Sequence, residues 1–284
     1  MIAIARRNIR IFFRDKTSVF FSLLAVFIII GLYVLFLGDT ITQGMEEIPQ
    51  ARFLIDSWIM AGILAVTPVT TTMGAFGIMV EDKAGKRLKD FLASPLKRSD
   101  LVGGYIISSL AIGIIMSVIT LILAEIYIVA SGGDILSFAN MLKVFGLILL
   151  TVFSGSSLVL LIVSFFKSLN AFATASTIIG TLIGFLTGIY IPIGQLPSGV
   201  QLIVKIFPIS HAGALFRQTM MEQAMGISFA NAPPGVINSF NSQMGINFWV
   251  GNTMITPGLS ILVLLGTAII FYLLAIINVS RKSK

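Results

Sequence analysis

The chain has 284 residues, of which 56% are hydrophobic and only 11% charged, with a mean hydropathy of +1.00 and no cysteine. Soluble domains are about 45–50% apolar with glycine counted, and about 25% charged. A fold exposed to water on all sides is therefore excluded, as are a disordered chain, a disulfide scaffold, thiolate metal sites and cysteine nucleophiles.

Residues 2–16 predict a helix lying along a membrane surface. At 100° per residue Arg6, Arg7, Arg10 and Arg14 share one arc. Ile2, Ala5, Ile9, Phe12 and Phe13 fill the arc beside it. A basic face next to an apolar one suits the headgroup layer, where each cation gains about 1 kcal/mol from anionic lipid. The plainer alternative is a basic flank, which needs no apolar face. Six stretches then qualify as membrane spans, each with at least the roughly 20 apolar residues that a bilayer core requires, the second and third being longer, which implies tilt, a kink or a cytoplasmic extension. They are Thr17–Leu37, Phe53–Val80, Leu101–Ala130, Met141–Phe166, Ala171–Ile191 and Thr256–Val279. Pro68, followed by Thr70, Thr71 and Thr72, predicts a kink in the second. No stretch alternates as a membrane barrel strand does. The expected fold is all-α and integral to the membrane, a single domain over 1–284.

With the N-terminus cytoplasmic, the inner side holds Arg6, Arg7, Arg10, Arg14, Lys16, Lys83, Lys86, Arg87, Lys89, Lys97, Arg98, Lys167, Arg281, Lys282 and Lys284. The outer side keeps Arg52, Lys143, Lys205 and Arg217. This asymmetry places both termini in the cytoplasm and explains the net charge of +7 without nucleic acid. The expected location is a bacterial cell membrane.

Between spans two and three, Leu88, Phe91, Leu92 and Leu96 lie at helical spacing within a charged loop. Ser94-Pro95 suits an N-cap and first helical residue, so one helix stops there and another starts. A short helix with an apolar ridge fits a partner protein's groove; a solvated connector would need only the charges. On the far side, Pro192, Pro197 and Pro208 break an apolar run, Leu196–Phe207, that is too short to span. A re-entrant or interfacial pair of short helices is expected there. The polar stretch from Asn231 to Asn247 reads as an exposed loop. In the fifth span Gly180, Gly184 and Gly188 form a small face suited to close helix approach, in a dimer or within the chain.

Catalytic chemistry has little to stand on. Gly85-Lys86 lacks the flanking residues of a Walker A sequence. His211 has no ligands at metal spacing and reads as an interface histidine, so no metal site is expected. Asp56 and Glu125 sit near outer span ends, either snorkelling or lining a pathway.

Taken together, the chain resembles the permease subunits of type-2 ABC exporters, the ABC-2 family with the type V exporter fold. The resemblance rests on the basic helix ending in Arg14-Asp15-Lys16 and on the six spans. It rests also on Glu81, Gly85 and the run Phe91-Leu92-Ala93-Ser94-Pro95-Leu96-Lys97-Arg98 ahead of Gly104, and on Pro192, Leu196, Pro197, Pro208 and His211 before the last span. It implies an elbow helix at the N-terminus and a coupling helix docked in a cleft of a separate cytoplasmic ATPase, which binds ATP and Mg. Glu81, Asp82 and Lys83 would touch that subunit. The resemblance also implies a re-entrant element at the outer mouth, and a second permease chain, identical or sister, meeting the first and fifth spans. The polar stretch after about Met225 is longer than the simplest members carry.

The expected function is the permease subunit of an ATP-driven exporter, with no nucleotide site of its own. The span walls, with Thr67, Thr70, Thr71, Thr72, Ser154, Ser156 and Ser157, suit a lipophilic or amphipathic cargo such as a drug, an antimicrobial peptide or a lipid. The alternative is a channel or secondary carrier without an ATPase, which calls for central charges or ion-coordinating broken helices.

Overall fold

A computed structural model of the chain describes residues 1–33, 45, 48–85, 87–93, 97–251 and 253–281. Helix α1 (Ile2–Arg14) stops at Asp15, whose extended backbone turns the chain. The Asp15 carboxylate then caps helix α2 (Lys16–Ser22), accepting from the amides of Thr17 and Ser18 at 3.0 and 3.1 Å. These bonds, with the Ser18 hydroxyl foremost, hold its carboxyl below the usual range. Leu23 interrupts the path to α3 (Leu24–Leu32). The first expected span therefore begins as two helical pieces, and its end at 34–37 lies outside the described residues.

The amphipathic expectation for α1 needs a third sector. Ile4, Ala5, Asn8 and Phe12 are buried against the protein, whereas Arg6, Arg10 and Arg14 are exposed. Ile2 is 80% exposed, with Ile9 and Phe13 beside it half-buried, so an apolar strip remains for lipid. The buried face rests on Gly103 and Gly104: a β-carbon at Gly104 would lie 2.7 Å from Ile4 Cβ, and one at Gly103 would lie 2.7 Å from Met1 Cε. At Gly104, where Ile4 Cβ and the Met1 carbonyl are fixed to the backbone, only glycine permits this approach, whereas the flexible end of Met1 could give way at Gly103.

Five helices among the described residues are long and apolar enough to cross a membrane: α4 (Ala51–Ala84), α6 (Arg98–Ala130), α7 (Phe138–Ser164), α8 (Leu169–Leu186) and α13 (Pro257–Arg281). Short helix α5 (Arg87–Ala93) precedes α6. Helix α4 has 34 residues, or about 50 Å at 1.5 Å per residue, well beyond a bilayer core of about 30 Å. It is the centre of the molecule, packed against α6, α7 and α8. Pro68 does not end it. Around the missing N–H, the hydroxyls of Thr67, Thr71 and Thr72 donate back to the carbonyls of Ile63, Thr67 and Pro68. A β-carbon at Gly155 of α7 would lie 3.3 Å from Val69 Cγ2 and 3.5 Å from the Val69 amide nitrogen, so the two helices pack closely there, and Ser109 and Ser156 bond across α6 and α7 at 3.3 Å. Thr67, Thr71, Thr72, Ser154, Ser156 and Ser157 are all buried inside the chain. Thr67, Thr71, Thr72 and Ser157 bond to carbonyls of their own helices and Ser156 bonds across to Ser109, so within this chain they do not offer the cargo-facing wall that the sequence suggested. Thr70 is half-buried.

Helix α8 is the exception to this enclosure: 11% of its apolar window is buried, against 89% for α4. It ends at Leu186, five residues before the expected boundary. The Gly188 N–H donates to Phe185 O at 3.1 Å and the Ile189 N–H to Gly184 O at 3.0 Å, with Gly188 at φ +69. That pair of hydrogen bonds around a left-handed glycine closes the helix. The three-glycine face is thereby shortened. Gly188 lies outside the helix, Gly184 is covered by the Tyr190 ring, and Gly180 alone has nothing within 4 Å of a β-carbon.

Beyond α8 come a 3-10 turn (Ile193–Gln195), α9 (Ser198–Ile206) and α10 (Pro208–Met220), the last two meeting at 86°. Pro197 precedes α9 and Pro208 opens α10, as prolines do at helix starts. Helix α11 (Glu222–Ser228) and α12 (Pro234–Gln243) lead to a two-stranded ribbon, β1 (Trp249–Val250) paired with β2 (Thr253–Met254). The stretch expected as an exposed loop is largely exposed from 231 to 243 but is helical over Pro234–Gln243. Its end is pinned down by the buried Met244 and Ile246, with Phe229 and Phe248 buried on either side.

Candidate functional site

Two polar clusters organise the molecule, one at each end of α4. At the basic end, Asp82 in the last turn of α4 is fully buried. Arg7 of α1 grips it with both terminal nitrogens, Nη1–Oδ2 at 2.8 Å and Nη2–Oδ1 at 2.9 Å. The Tyr105 hydroxyl of α6 donates to Oδ2 at 2.7 Å, and Arg87 of α5 stands 3.6 Å from Oδ1. The Arg7 guanidinium also lies over the Phe91 ring of α5 at 5.2 Å, while Asn8 donates to Ser108 Oγ at 3.3 Å. One carboxylate thus joins four helices. A fork-to-carboxylate pair gives geometry as well as energy. The hydrogen bond to Asp82 raises the Arg7 pKa above its ordinary value, with burial acting the other way.

This arrangement redistributes the residues expected to meet a partner. Glu81 is exposed and Lys83 half-buried, but Asp82 is wholly enclosed and cannot reach another protein. Its position on an inward turn of α4 and its three donors explain the difference. Gly85 closes α4 with its N–H on Glu81 O at 2.8 Å. Helix α5 is present, with Arg87, Asp90 and Ala93 exposed. Phe91, expected on the outward ridge, is half-buried under Arg7 and anchors α5 to α1. The side chains of Leu88 and Leu92, and residues Ser94, Pro95 and Leu96, lie outside the described residues.

At the opposite end, Arg217 of α10 is fully buried with no carboxylate paired to it among the described residues. Its Nη2 donates to Thr187 O at 2.9 Å and its Nη1 to Gly245 O at 3.4 Å, and its guanidinium sits 4.7 Å from the centre of the Trp58 ring. Trp58 in turn donates from Nε1 to Met244 O at 2.7 Å. The cation is stabilised by carbonyl dipoles and an aromatic face in place of an anion. It ties together α4, the end of α8, α10 and the turn after α12. Sequence reading placed Arg217 among flanking outer charges. The available signal was its position inside the apolar run Ala212–Phe216 and Met220.

His211 holds the bend between α9 and α10. A carbonyl only accepts, so Nε2–H donates to Lys205 O at 2.9 Å, and Nδ1 is left to accept from the Ser260 hydroxyl at 3.1 Å. The ring meets Phe248 edge-on at 5.6 Å. Pro192 precedes the 3-10 turn that packs beside this region. Asp56 does not snorkel. It is buried, with Arg52 Nε 3.2 Å away and the Tyr127 hydroxyl donating at 3.3 Å. Glu125 is buried as well, accepting from the Leu136 N–H at 2.9 Å.

The Ser260–His211 pair joins a hydroxyl to a base, but both are buried and the other ring nitrogen is tied to a backbone carbonyl. The clusters tie helices together, by the Arg7–Asp82 and Arg52–Asp56 ion pairs near the two ends of α4 and by carbonyl and aromatic contacts around Arg217. The sequence model of the ABC-2 type transporter family matches residues 1–221, a region that contains both clusters except for the Met244–Gly245 turn. No match to a curated protein was found.

Proposed function

The chain belongs to the ABC-2 type transporter family, as a multi-pass permease subunit of an ABC transporter, and from that premise we propose an exporter driven by a separate cytoplasmic ATPase. ATP and Mg²⁺ bind to that partner. Six spans cross the membrane, α2 and α3 starting the first, with both termini cytoplasmic and α9–α10 re-entrant at the outer mouth. The gathering of Lys and Arg at one end supports this orientation.

One observation carries the reading: α5 is fastened to α1, α4 and α6 through Asp82 and Arg7. Closure of two ATPase subunits pushes on α5. Arg87 and Phe91 pass the displacement to Asp82 and Arg7, so the inner ends of α4 and α6 move with the elbow helix as one body. ATP binding biases the permease only through the difference in contact between its two states. The weakly covered face of α8 then receives a second permease chain, identical or sister. The strip of Ala173, Thr174, Thr177 and Thr181 is exposed there, its three hydroxyls bonded to their own helix. A lightly polar, uncharged strip beside a chain interface suits a lipophilic or amphipathic cargo, such as a drug, an antimicrobial peptide or a lipid.

The test is purification of the tagged chain from its native membrane in mild detergent, with ATPase activity measured in the eluate. A stoichiometric Walker A protein is expected, and it is expected to be lost from Leu88→Asp. A chain that emerges alone and without ATPase activity in several detergents would replace this reading with that of a channel or gradient-driven carrier.

A further inference from the structure

Between the outer halves of α6 and α7 runs a groove of about 760 Å³, lined by Ile122, Ile126, Phe138, Leu142 and Phe145 with Glu125 at its polar edge. That volume falls in the range of ligand sites, about 300–1,000 Å³. The apolar walls open outward: Ile122, Ile126 and Leu142 are 54%, 61% and 64% exposed. Glu125 is only 7% exposed. Its Oε2 accepts from the Leu136 N–H, but its Oε1 is buried with no hydrogen-bond partner among the described residues. Lys143 on α7 does not supply one, because it is engaged with Asn140 at 2.9 Å and Glu222 at 3.5 Å. A buried acceptor left unsatisfied is costly.

We propose that this groove binds one phospholipid whose headgroup carries a primary ammonium. The ammonium N–H donates to Glu125 Oε1, and an acyl chain lies against Ile122, Ile126 and Leu142. A trimethylammonium headgroup has no N–H and cannot make that bond. The site lies away from α5 and from α8, so it stands or falls independently of the coupling reading.

Native mass spectrometry of the purified chain, offered equal amounts of phosphatidylethanolamine and phosphatidylcholine, reads the preference directly. About a tenfold excess of bound phosphatidylethanolamine is expected for the unmodified chain. Glu125→Gln keeps the acceptor for Leu136 and is expected to bring the ratio to about one while total bound lipid stays constant. Leu142→Trp fills the groove from its lipid side and is expected to lower both lipids together. Equal retention of the two lipids by the unmodified chain would overturn the site. So would a preference that survives Glu125→Gln, undiminished lipid in Leu142→Trp, or a stronger hold on phosphatidylglycerol.

Discussion

Replacing Asp82 by asparagine, and Arg7 by glutamine, tests whether one carboxylate fastens four helices. Asp82 has no exposure, while Arg7 retains 27%. In Asp82→Asn one acceptor oxygen becomes an N–H₂: at the Oδ2 position it faces both Arg7 Nη1 and Tyr105, at 2.8 and 2.7 Å, and at the Oδ1 position it faces Arg7 Nη2 at 2.9 Å. A hydrogen bond to a charged group contributes about 1.5–3 kcal/mol. Water reaching the exposed part of Arg7 offsets part of the loss, leaving about 1–2 kcal/mol. Arg7→Gln is harsher, at about 3–5 kcal/mol, because it strands a buried charge. Tyr105 remains its close partner, and Arg87 is 3.6 Å away. Once the carboxylate is gone, losing Arg7 adds little, so the double variant should be more stable than the sum of the singles by about 3–5 kcal/mol, nearly the whole cost of Arg7→Gln. Equilibrium unfolding in mixed micelles gives all three values. Additivity within about 0.5 kcal/mol would refute the reasoning. A second readout needs no unfolding. The chain contains no cysteine, so a single one placed at Ala3 reports α1 alone, and its labelling rate should rise in either single variant.

Arg217→Met should lower stability by about 2 kcal/mol, since the cation–π contact and two bonds to carbonyls outweigh the relief of a buried charge. Arg217→Lys should not restore it, because one ammonium cannot span Thr187 O and Gly245 O while covering Trp58; thermal melting in detergent decides both. Gly104→Val should displace α1, costing about 1–3 kcal/mol by overpacking against Ile4, and expose the N-terminus to protease. Gly188→Ala should destabilise the monomer by about 1 kcal/mol or more through its left-handed backbone. Gly180→Ile should leave monomer melting unchanged while shifting the sedimentation profile away from dimer, and an unaltered dimer would remove α8 from the interface.

What could be read from the sequence follows from how each signal is written in it. Hydropathy marked α4, α6, α7, α8 and α13 because each span must satisfy its own backbone in lipid, and that requirement acts locally. Phe91 and Arg7 were picked out as members of amphipathic helices, but their mutual contact was not legible. Periodicity assigns a face and says nothing of which neighbour covers it. Asp82 looked like one more loop charge because burial depends on where α4 ends relative to Tyr105 and Arg7, 23 and 75 residues away. The boundary of α8 was missed for a different reason. Glycine is both a close-packing residue and a helix stop, and Gly188 takes the second role. The polar stretch near 240 misled because its few apolar residues, Phe240, Met244, Ile246 and Phe248, are scattered in no repeating pattern.

The contacts of α1 also set an order of assembly during synthesis. Its partners Asp82, Gly103, Gly104, Tyr105 and Ser108 emerge from the ribosome long after it does; the Asn8–Ser108 bond alone spans 100 residues. Until α6 has been made, α1 has neither all of its polar partners nor the glycine bed on which it rests. The docking of α1 therefore marks the moment at which α4 and α6 have come together. A nascent chain halted before residue 103 should keep that segment open to protease, and one extended past residue 130 should shield it.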